Sequence, residues 1–454
     1  MRTCVFDETR RYVAGIDLAG AADHYVCGPR KDDGSHDIER FGTTTGELRR
    51  MLQWLRDRHV ESVAMESTSV YWIPVHDILE SGGLEVRLVD TREVKMVPGR
   101  KSDVKDCQWL QRLHSCGLLR GAFRPPEAFN AIRTVLREKR NVTEMRTQAI
   151  QAMQKSLDQM NIRLHHAVSD ITGKTGMAIL GAIVEGERDP LRLASLRDKR
   201  CRKSAAEIAE ELTGTWREEH LFNLARSYET LVFLDGQLAA YEERVRWMFA
   251  RLAAESGRPA PRPRPDNPAW SRERLRKAHS DIAAKADLER IMGFDPTTID
   301  GVDYGVAALV AAELGNDFSA FPTENHFVSY IGLAPPLGKS AGKNVRTRRR
   351  VKNTHVVGLT LRQAATSLSR SQSELGGRFR SVKSRTDATT AVIATARRMA
   401  QYIYRGVKYG ADYVDEGELA YEQRRRERTL RSMRRTIAKL GISASELGMG
   451  SMAG

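Results

Sequence analysis

The sequence predicts an α/β domain at the N-terminus, followed by a helical linker and a second, mostly α-helical domain. Three observations support this prediction. Short apolar runs that end at a carboxylate recur between residues 11 and 126, strand patterns nearly vanish after residue 127, and a proline-rich stretch at 257–268 separates two helical regions. A chain of 454 residues is long enough for two or three domains.

The first region, 1–126, has the pattern of strands separated by helices. Apolar runs at 12–18, 62–66 and 85–90 have the pattern of buried strands closed by an acid, and 24–27 is predicted to be the hairpin partner of the first run. Between them, residues 46–59 and 70–81 have apolar positions at helical spacing. This order indicates a mixed or parallel sheet covered by helices.

A helical linker is predicted over 127–270. Ile150, Met153, Leu157 and Met160 follow one another at three- and four-residue spacing, which is typical of a helical bundle or an antiparallel coiled pair. Stripes of this kind form cores or oligomer interfaces more often than binding sites. The prolines of the 257–268 joint exclude a helix there.

The last two regions are predicted to be helical. Within the domain at 271–410, the glycines of 299–307 give the pattern of a helix-hairpin-helix turn, whose backbone amides can face a phosphate. Residues 411–454 are predicted to form a basic helix followed by a tail.

Positive charge is concentrated in one part of the chain. The whole chain carries +15, and residues 341–410 hold sixteen Lys and Arg side chains against only Glu374 and Asp387. A solvated helical face is the simplest explanation of a charge run. Here the acids that would form i,i+4 pairs are missing, so we expect this region to contact the phosphates of a nucleic acid.

Cysteine usage and hydropathy bear on the compartment. The five cysteines are scattered without a CxxC pair, which argues against a disulfide framework or a thiolate zinc site and fits a reducing cytoplasm. Charged residues interrupt every apolar stretch before the ~20 residues needed to cross a bilayer. We therefore expect a soluble protein with no membrane partner.

Four acids form the candidate metal site. Asp17 and Glu66 end two predicted strands, and Asp103 and Asp106 follow the third, where Ser102 is a suitable N-cap for a helix that begins at Asp103. Acids in a first helical turn also stabilise the helix dipole, which is the simpler explanation of this pair. Together, however, the four acids suit Mg²⁺ or Mn²⁺ in phosphodiester chemistry, and their order suits a ribonuclease-H-like fold.

At this point the sequence resembles a known family, the insertion-sequence transposases of family one-ten, also called bridge recombinases. The resemblance covers roughly 11–410. In the first half, Gly15-Ile16-Asp17, the segment 65–72 and the segment 101–106 resemble the three motifs of a DEDD, RuvC-like domain. In the second half, 299–302, 312–315, 330–335 and 340–343 resemble the family's C-terminal serine transposase domain.

The resemblance implies an activity, its residues and its partners. The activity is cutting and rejoining of donor and target DNA, by a metal site of Asp17, Glu66, Asp103 and Asp106 and by a nucleophilic Ser340. The resemblance also implies a structured bridge RNA and a homo-tetramer built as a dimer of dimers. It implies a bacterial cytoplasmic protein that is associated with the nucleoid when active. The basic residues around Ser340 are expected to bind nucleic acid: Lys339, Lys343, Arg346, Arg348, Arg349, Arg350 and Lys352.

Two alternatives remain open from the residues. A RuvC-like nuclease or Holliday-junction resolvase would use the carboxylates with water as its nucleophile, and a non-catalytic protein would only bind nucleic acid. Nucleotide hydrolysis is excluded by spacing, because five residues rather than four separate Gly332 from Gly338-Lys339-Ser340.

Overall fold

The computed structural model describes ten stretches of the chain and divides it into two compact units. The units are Met1–Arg124 and Pro125–Gly454. The described residues are 8–18, 22–66, 70–89, 103–119, 121–259, 281–334, 337–340, 343–346, 355–410 and 417–440.

The first unit is built on a five-stranded mixed sheet, as the sequence predicts at the coarse level. The strand order is β3-β2-β1-β4-β5, with β1, β4 and β5 parallel and with β2 antiparallel to both of its neighbours. The strands are β1 Val13–Asp17, β2 His24–Arg30, β3 His36–Phe41, β4 Ser62–Glu66 and β5 Glu85–Val89. The helices are α1 Thr45–Arg56, α2 Trp72–Ser81 and α3 Asp103–Ser115.

One strand of this sheet, β3, is not predicted by the sequence pattern. It is one of the two edge strands, and only Phe41 of its six residues is buried. Because β3 packs little of its surface against the core, its sequence lacks the apolar run that marks β1, β4 and β5.

Helices cover both faces of the sheet because side chains alternate along each strand. Val63 and Met65 pack into a core with side chains of α1 and α2, whereas Ala64 packs with Leu110 of α3. Strands that are buried on both faces read as continuous apolar runs, which is the pattern found at 62–66.

The first part of the second unit is helical, in agreement with the predicted linker. Two long helices, α4 Glu127–Gln159 and α9 Glu218–Glu255, run antiparallel: Lys139 pairs with Glu242 at 2.9 Å, and Arg146 pairs with Asp235. Met153, Leu157 and Met160 are fully buried. Four short helices lie between the long ones: α5 Leu164–Ala167, α6 Lys174–Val184, α7 Pro190–Ser195 and α8 Ala205–Glu211.

The described residues in the remainder of this unit are also mostly helical and include a two-stranded hairpin. Its core includes a group of aromatic rings, Phe318, Phe321, Phe327 and Tyr404. Its helices are α10 Ile282–Met292, α11 Tyr304–Leu314, α12 Glu324–Tyr330, α13 Val356–Ser367, α14 Glu374–Lys383, α15 Ala388–Tyr409 and α16 Gly417–Leu440, with 3-10 turns at Pro296–Thr298 and Leu368–Arg370. Its strands are β6 Leu337–Ser340 and β7 Lys343–Arg346.

The predicted turn at 299–307 comprises residues 299–303, between the 3-10 turn and α11, and the first turn of α11, and two of its amides are not open to a phosphate. The Val302 amide donates to the Ile299 carbonyl, and the Val306 amide donates to the Asp303 carboxylate. Gly301, at φ +80°, lies against the Ala364 carbonyl and the Met399 side chain. This turn therefore packs into its own domain.

No helix in the described part of the chain is long and apolar enough to span a membrane. Most of the proline-rich joint, from residue 260 on, lies outside the described residues.

Candidate active site and nucleic-acid interface

Asp17 and Glu66 lie at the same edge of the sheet, at the ends of neighbouring parallel strands. Ile16 of β1 is in register with Met65 of β4, so the next residue along each strand is one of the two acids. In both strands the four residues before the acid are buried, and the acid is partly exposed. The pattern of an apolar run closed by a carboxylate thus places two carboxylates side by side.

Helix α3 packs on the sheet in direct contact with β1. A β-carbon at Gly15 would lie 2.3 Å from the Gln111 backbone nitrogen and 2.4 Å from the Cys107 carbonyl oxygen. Because real β-carbons do not approach backbone atoms this closely, only glycine allows the helix to pack here.

The direction of α3 follows from its contacts. The Ser115 carbonyl accepts hydrogen bonds from the Thr9 and Arg10 amides, before β1 begins, whereas Cys107 lies against Gly15. Each step of two residues along the strand, about 6.6 Å, matches four residues of helix, about 6 Å. The helix therefore runs antiparallel to β1, and its N-terminal end at Asp103 lies toward the strand end at Asp17.

The structure describes the side chains of three of the four predicted acids, Asp17, Glu66 and Asp106. Asp106, one turn into α3, is half-buried, and the side chain of Asp103 lies outside the described residues. Among the described side chains, no group of three or more His, Cys, Asp or Glu lies close enough to hold a metal ion. The donor chemistry does fit, since Asp17 and Glu66 supply the hard oxygen ligands that Mg²⁺ and Mn²⁺ prefer.

Exposed apolar side chains follow Glu66 closely along the chain. Val70 is 62% exposed, Tyr71 46% and Ile73 40%, at the start of α2. An exposed aromatic ring of this kind is suited to stacking against a nucleobase.

Two buried pairs in this unit have structural roles. His114 Nε2 lies 2.8 Å from the Ser62 hydroxyl, at the start of β4 and thus at the opposite end of that strand from Glu66. Burial, with smaller effects of Arg87 and Arg10, lowers the pKa of His114 to about 4. The pKa of the Cys27 thiol is raised by its contact with Cys107 and by burial, so this thiol is not an available nucleophile.

Ser340 lies in a β-hairpin, within a region that the sequence predicts to be mostly helical. It is the last residue of β6 and pairs with Lys343, the first residue of β7. Lys339 and Arg346 are in the same hairpin. The side chains of this hairpin lie outside the described residues, as do Arg348, Arg349, Arg350 and Lys352 altogether.

Part of the basic run at 341–410 holds its own domain together. Arg362 donates to the Gly332 carbonyl at 2.9 Å, Arg380 donates to the carbonyls of Ser369 and Ser371, and Arg405 pairs with Glu324. These arginines donate hydrogen bonds to groups inside the domain. The net charge of the run is therefore larger than the charge that its surface offers to phosphates.

A buried carboxylate, which is not among the predicted site residues, lies near the segment that leads to the hairpin. The Glu313 side chain is 2% exposed and pairs with Arg133 and Arg137 of α4. The signal in the sequence is a single acid in the otherwise apolar helix YGVAALVAAEL, because a buried charge needs an ionic partner. Tyr330 and His355, whose rings lie 4.9 Å apart, flank the hairpin in the sequence, and burial lowers the pKa of His355.

Comparison with known proteins agrees with both halves of the sequence. Residues 14–162 match a family model described as a transposase, that of the DEDD domain of the IS110 family. Residues 297–380 match a second model, described as the transposase IS116/IS110/IS902 family. No curated protein matches the chain. The two matches together cover about half of the chain, and the DEDD domain precedes the second domain, as the sequence motifs predict. The chain therefore belongs to the IS110 family of transposases.

Proposed function

We propose that this transposase cuts and rejoins donor and target DNA through two half-sites, one of carboxylates and one carrying a serine nucleophile. The observation that supports the proposal most is the presence of both family domains on one chain, with Asp17 and Glu66 at adjacent strand ends in the first. The proposed domains are a RuvC-like domain at 1–126, a coiled-coil linker at 127–270, a serine transposase domain at 271–410 and a basic C-terminal helix with its tail at 411–454.

In the first half-site, Asp17, Glu66, Asp103 and Asp106 would hold Mg²⁺ or Mn²⁺. The direction of α3 supports this, because it aims the helix end that carries Asp103 toward Asp17. A bound divalent ion supplies neutralisation of the charge on the attacking and leaving oxygens of a phosphodiester. Carboxylates that are gathered at one site repel one another without a cation, which would favour binding.

In the second half-site, Ser340 would attack a DNA phosphorus. A new bond forms between the serine oxygen and phosphorus, the bond from phosphorus to the departing strand breaks, and that strand leaves as an alcohol after taking a proton. The serine proton passes to solvent or to a basic group at the site. The phosphoserine ester keeps the energy of the original bond, so reversal of the step by another strand end rejoins DNA without ATP.

Lys339, Lys343 and Arg346 share the hairpin with Ser340 and would hold the scissile phosphate. Arg348, Arg349, Arg350 and Lys352, which follow it in the sequence, would extend this contact along the backbone of the nucleic acid.

The family resemblance supports two further elements of the proposal. A tetramer would bring a carboxylate site of one subunit to the serine of another, and a structured bridge RNA would pair with donor and target DNA. A protein purified from cells should then carry a specific RNA. Full recombination after nuclease treatment would contradict the guided mechanism.

One experiment tests the proposed function. The purified protein is incubated with its cognate RNA, donor DNA, target DNA and Mg²⁺, and the products are sequenced across the junctions. Recombinant junctions support the transposase. Metal-dependent cutting without rejoining would indicate a RuvC-like nuclease or resolvase, and the absence of metal-dependent cutting would indicate a protein that only binds nucleic acid.

A further inference from the structure

We infer that the C-terminal helix α16 is a separate binding surface for duplex DNA. This helix, Gly417–Leu440, lies outside both matched regions of the chain. It carries seven arginines and one lysine against three acids. The inference concerns binding only, so it stands or falls independently of the cleavage chemistry proposed above.

The positive charges of α16 form one line along the helix. Arg424, Arg428, Arg431, Arg435 and Lys439 are spaced by four, three, four and four residues, and we call them the basic stripe. At 3.6 residues per turn they fall within an arc of about 80° and extend over about 22 Å. The three acids, Glu418, Glu422 and Glu427, all fall outside this arc.

Four of the five stripe residues, Arg428, Arg431, Arg435 and Lys439, are exposed, whereas Arg424 is half-buried. Tyr421, in the second turn, is buried, whereas from Arg425 to Lys439 every side chain is exposed except that of Ile437, which is half-buried. Within the residues that the structure describes, Arg428, Arg431, Arg435 and Lys439 form no ion pair. Like charges three and four residues apart repel one another and destabilise a helix. A line of phosphates would relieve this repulsion, so the stripe is complementary to a polyanion.

Duplex DNA is the polyanion that this shape fits best. An α-helix with its side chains is about 10–12 Å wide and enters the major groove of B-form DNA, which is about 12 Å wide. The major groove of A-form RNA is deep and too narrow for side chains to read. Pairing of α16 with a second copy through Leu430 and Met433 would bring two helices of net charge +5 together, which repulsion opposes.

The test compares two triple variants of the full chain that remove equal charge from the same helix. The stripe variant is Arg428→Gln, Arg431→Gln and Arg435→Gln. The control variant is Arg425→Gln, Arg426→Gln and Arg434→Gln, whose side chains are equally exposed but lie off the stripe. Because glutamine and arginine have similar helix propensities, both variants should keep the helix, which circular dichroism checks.

Binding is measured by fluorescence anisotropy on an intact DNA duplex without divalent metal, over a salt titration, and on an RNA hairpin of the same length. For the stripe variant we expect on the order of 100-fold weaker duplex binding at 0.1 M salt, and a slope of log affinity against log salt reduced by about three. The control variant should lose less than threefold. Equal losses in the two variants, no loss in the stripe variant, or a loss seen only with RNA would each overturn the inference.

Discussion

Glu313 and Arg137 form a two-point contact between the second half of the chain and the long helix α4. The Nε and one terminal nitrogen of Arg137 each donate to a carboxylate oxygen of Glu313 at 3.1 Å, and Arg133 completes the ion pair at 2.9 Å. Glu313 lies within the second matched region and Arg137 within the first. The contact fixes α11, two elements before the serine hairpin, to the linker helix.

Replacing Glu313 should destabilise this unit. In Glu313→Gln, the buried carboxylate no longer compensates the charge of Arg133, whose side chain is only 26% exposed. We expect a loss of about 2 kcal/mol, measured by urea unfolding monitored by circular dichroism. The control is Glu144→Gln, which removes an exposed i,i+4 pair with Arg140 on α4, the helix that carries Arg133. This variant should cost less than about 0.5 kcal/mol. Equal costs for the two variants would contradict the structural role of Glu313.

Gly15 should not tolerate a side chain. In Gly15→Ala the added carbon would meet backbone atoms of α3 at 2.3 and 2.4 Å, so the helix must move away from β1. We expect destabilisation of about 2–4 kcal/mol, together with loss of the divalent-metal binding that we propose, because the same contact sets the direction of the helix that begins at Asp103. Gly46→Ala in α1 is the control, since a β-carbon there meets nothing closer than 4.0 Å. A stable Gly15→Ala protein would show that α3 does not pack on β1 as described.

The proposed metal site predicts a binding signal that does not depend on activity. Mn²⁺ should raise the melting temperature of the wild-type protein, because it binds the folded state and relieves repulsion between carboxylates. Asp17→Asn and Glu66→Gln should lose this shift and also recombination, and their unliganded melting temperatures should change little. Glu61 is an exposed acid just before β4, the strand that ends at Glu66, and Glu61→Gln should behave like the wild type. Recombination in excess chelator would refute the site.

The sequence predicted much of the first unit because its central strands β1 and β4 are buried on both faces. Apolar runs closed by an acid gave β1, β4 and β5, and the structure places the first two acids together. The polar edge strand β3 was missed for the opposite reason, since little of it is buried.

The site was less predictable where it depends on packing between distant residues. Nothing in the local sequence shows that Gly15 touches Gln111, so the direction of α3 could not be derived. The hairpin at Ser340 is not predicted because the glycines and lysines of this segment have low strand propensity, yet cross-strand pairing forms two strands there.

Acidic conditions should destabilise the first unit through His114. Its pKa is lowered to about 4 in the folded protein, mainly by burial, and lies near 6.5 in the unfolded chain. The unfolded state therefore binds more protons between these values, and stability falls as the pH is lowered from 6.5 toward 4. We expect about 2 kcal/mol less stability at pH 5 than at pH 7 from this residue. Urea unfolding of His114→Gln should show a shallower pH dependence than the wild type. An identical dependence would contradict this assignment.

The central claim is that Ser340 forms a covalent bond with DNA. Ser340→Ala should abolish cleavage and strand exchange while binding of DNA and RNA is retained, since only one hydroxyl is removed. Thr354→Ala, which removes a hydroxyl from the same basic segment outside the hairpin, serves as the control and should recombine normally.

The most direct measurement is mass spectrometry of the protein–DNA adduct. Wild-type protein is reacted with labelled donor DNA, denatured and digested, and the modified peptide is sequenced. The account predicts an adduct that resists denaturation and carries its nucleotide on Ser340, and no adduct from Ser340→Ala. An adduct on another residue, or recombinant junctions made by Ser340→Ala, would show that this serine is not the nucleophile.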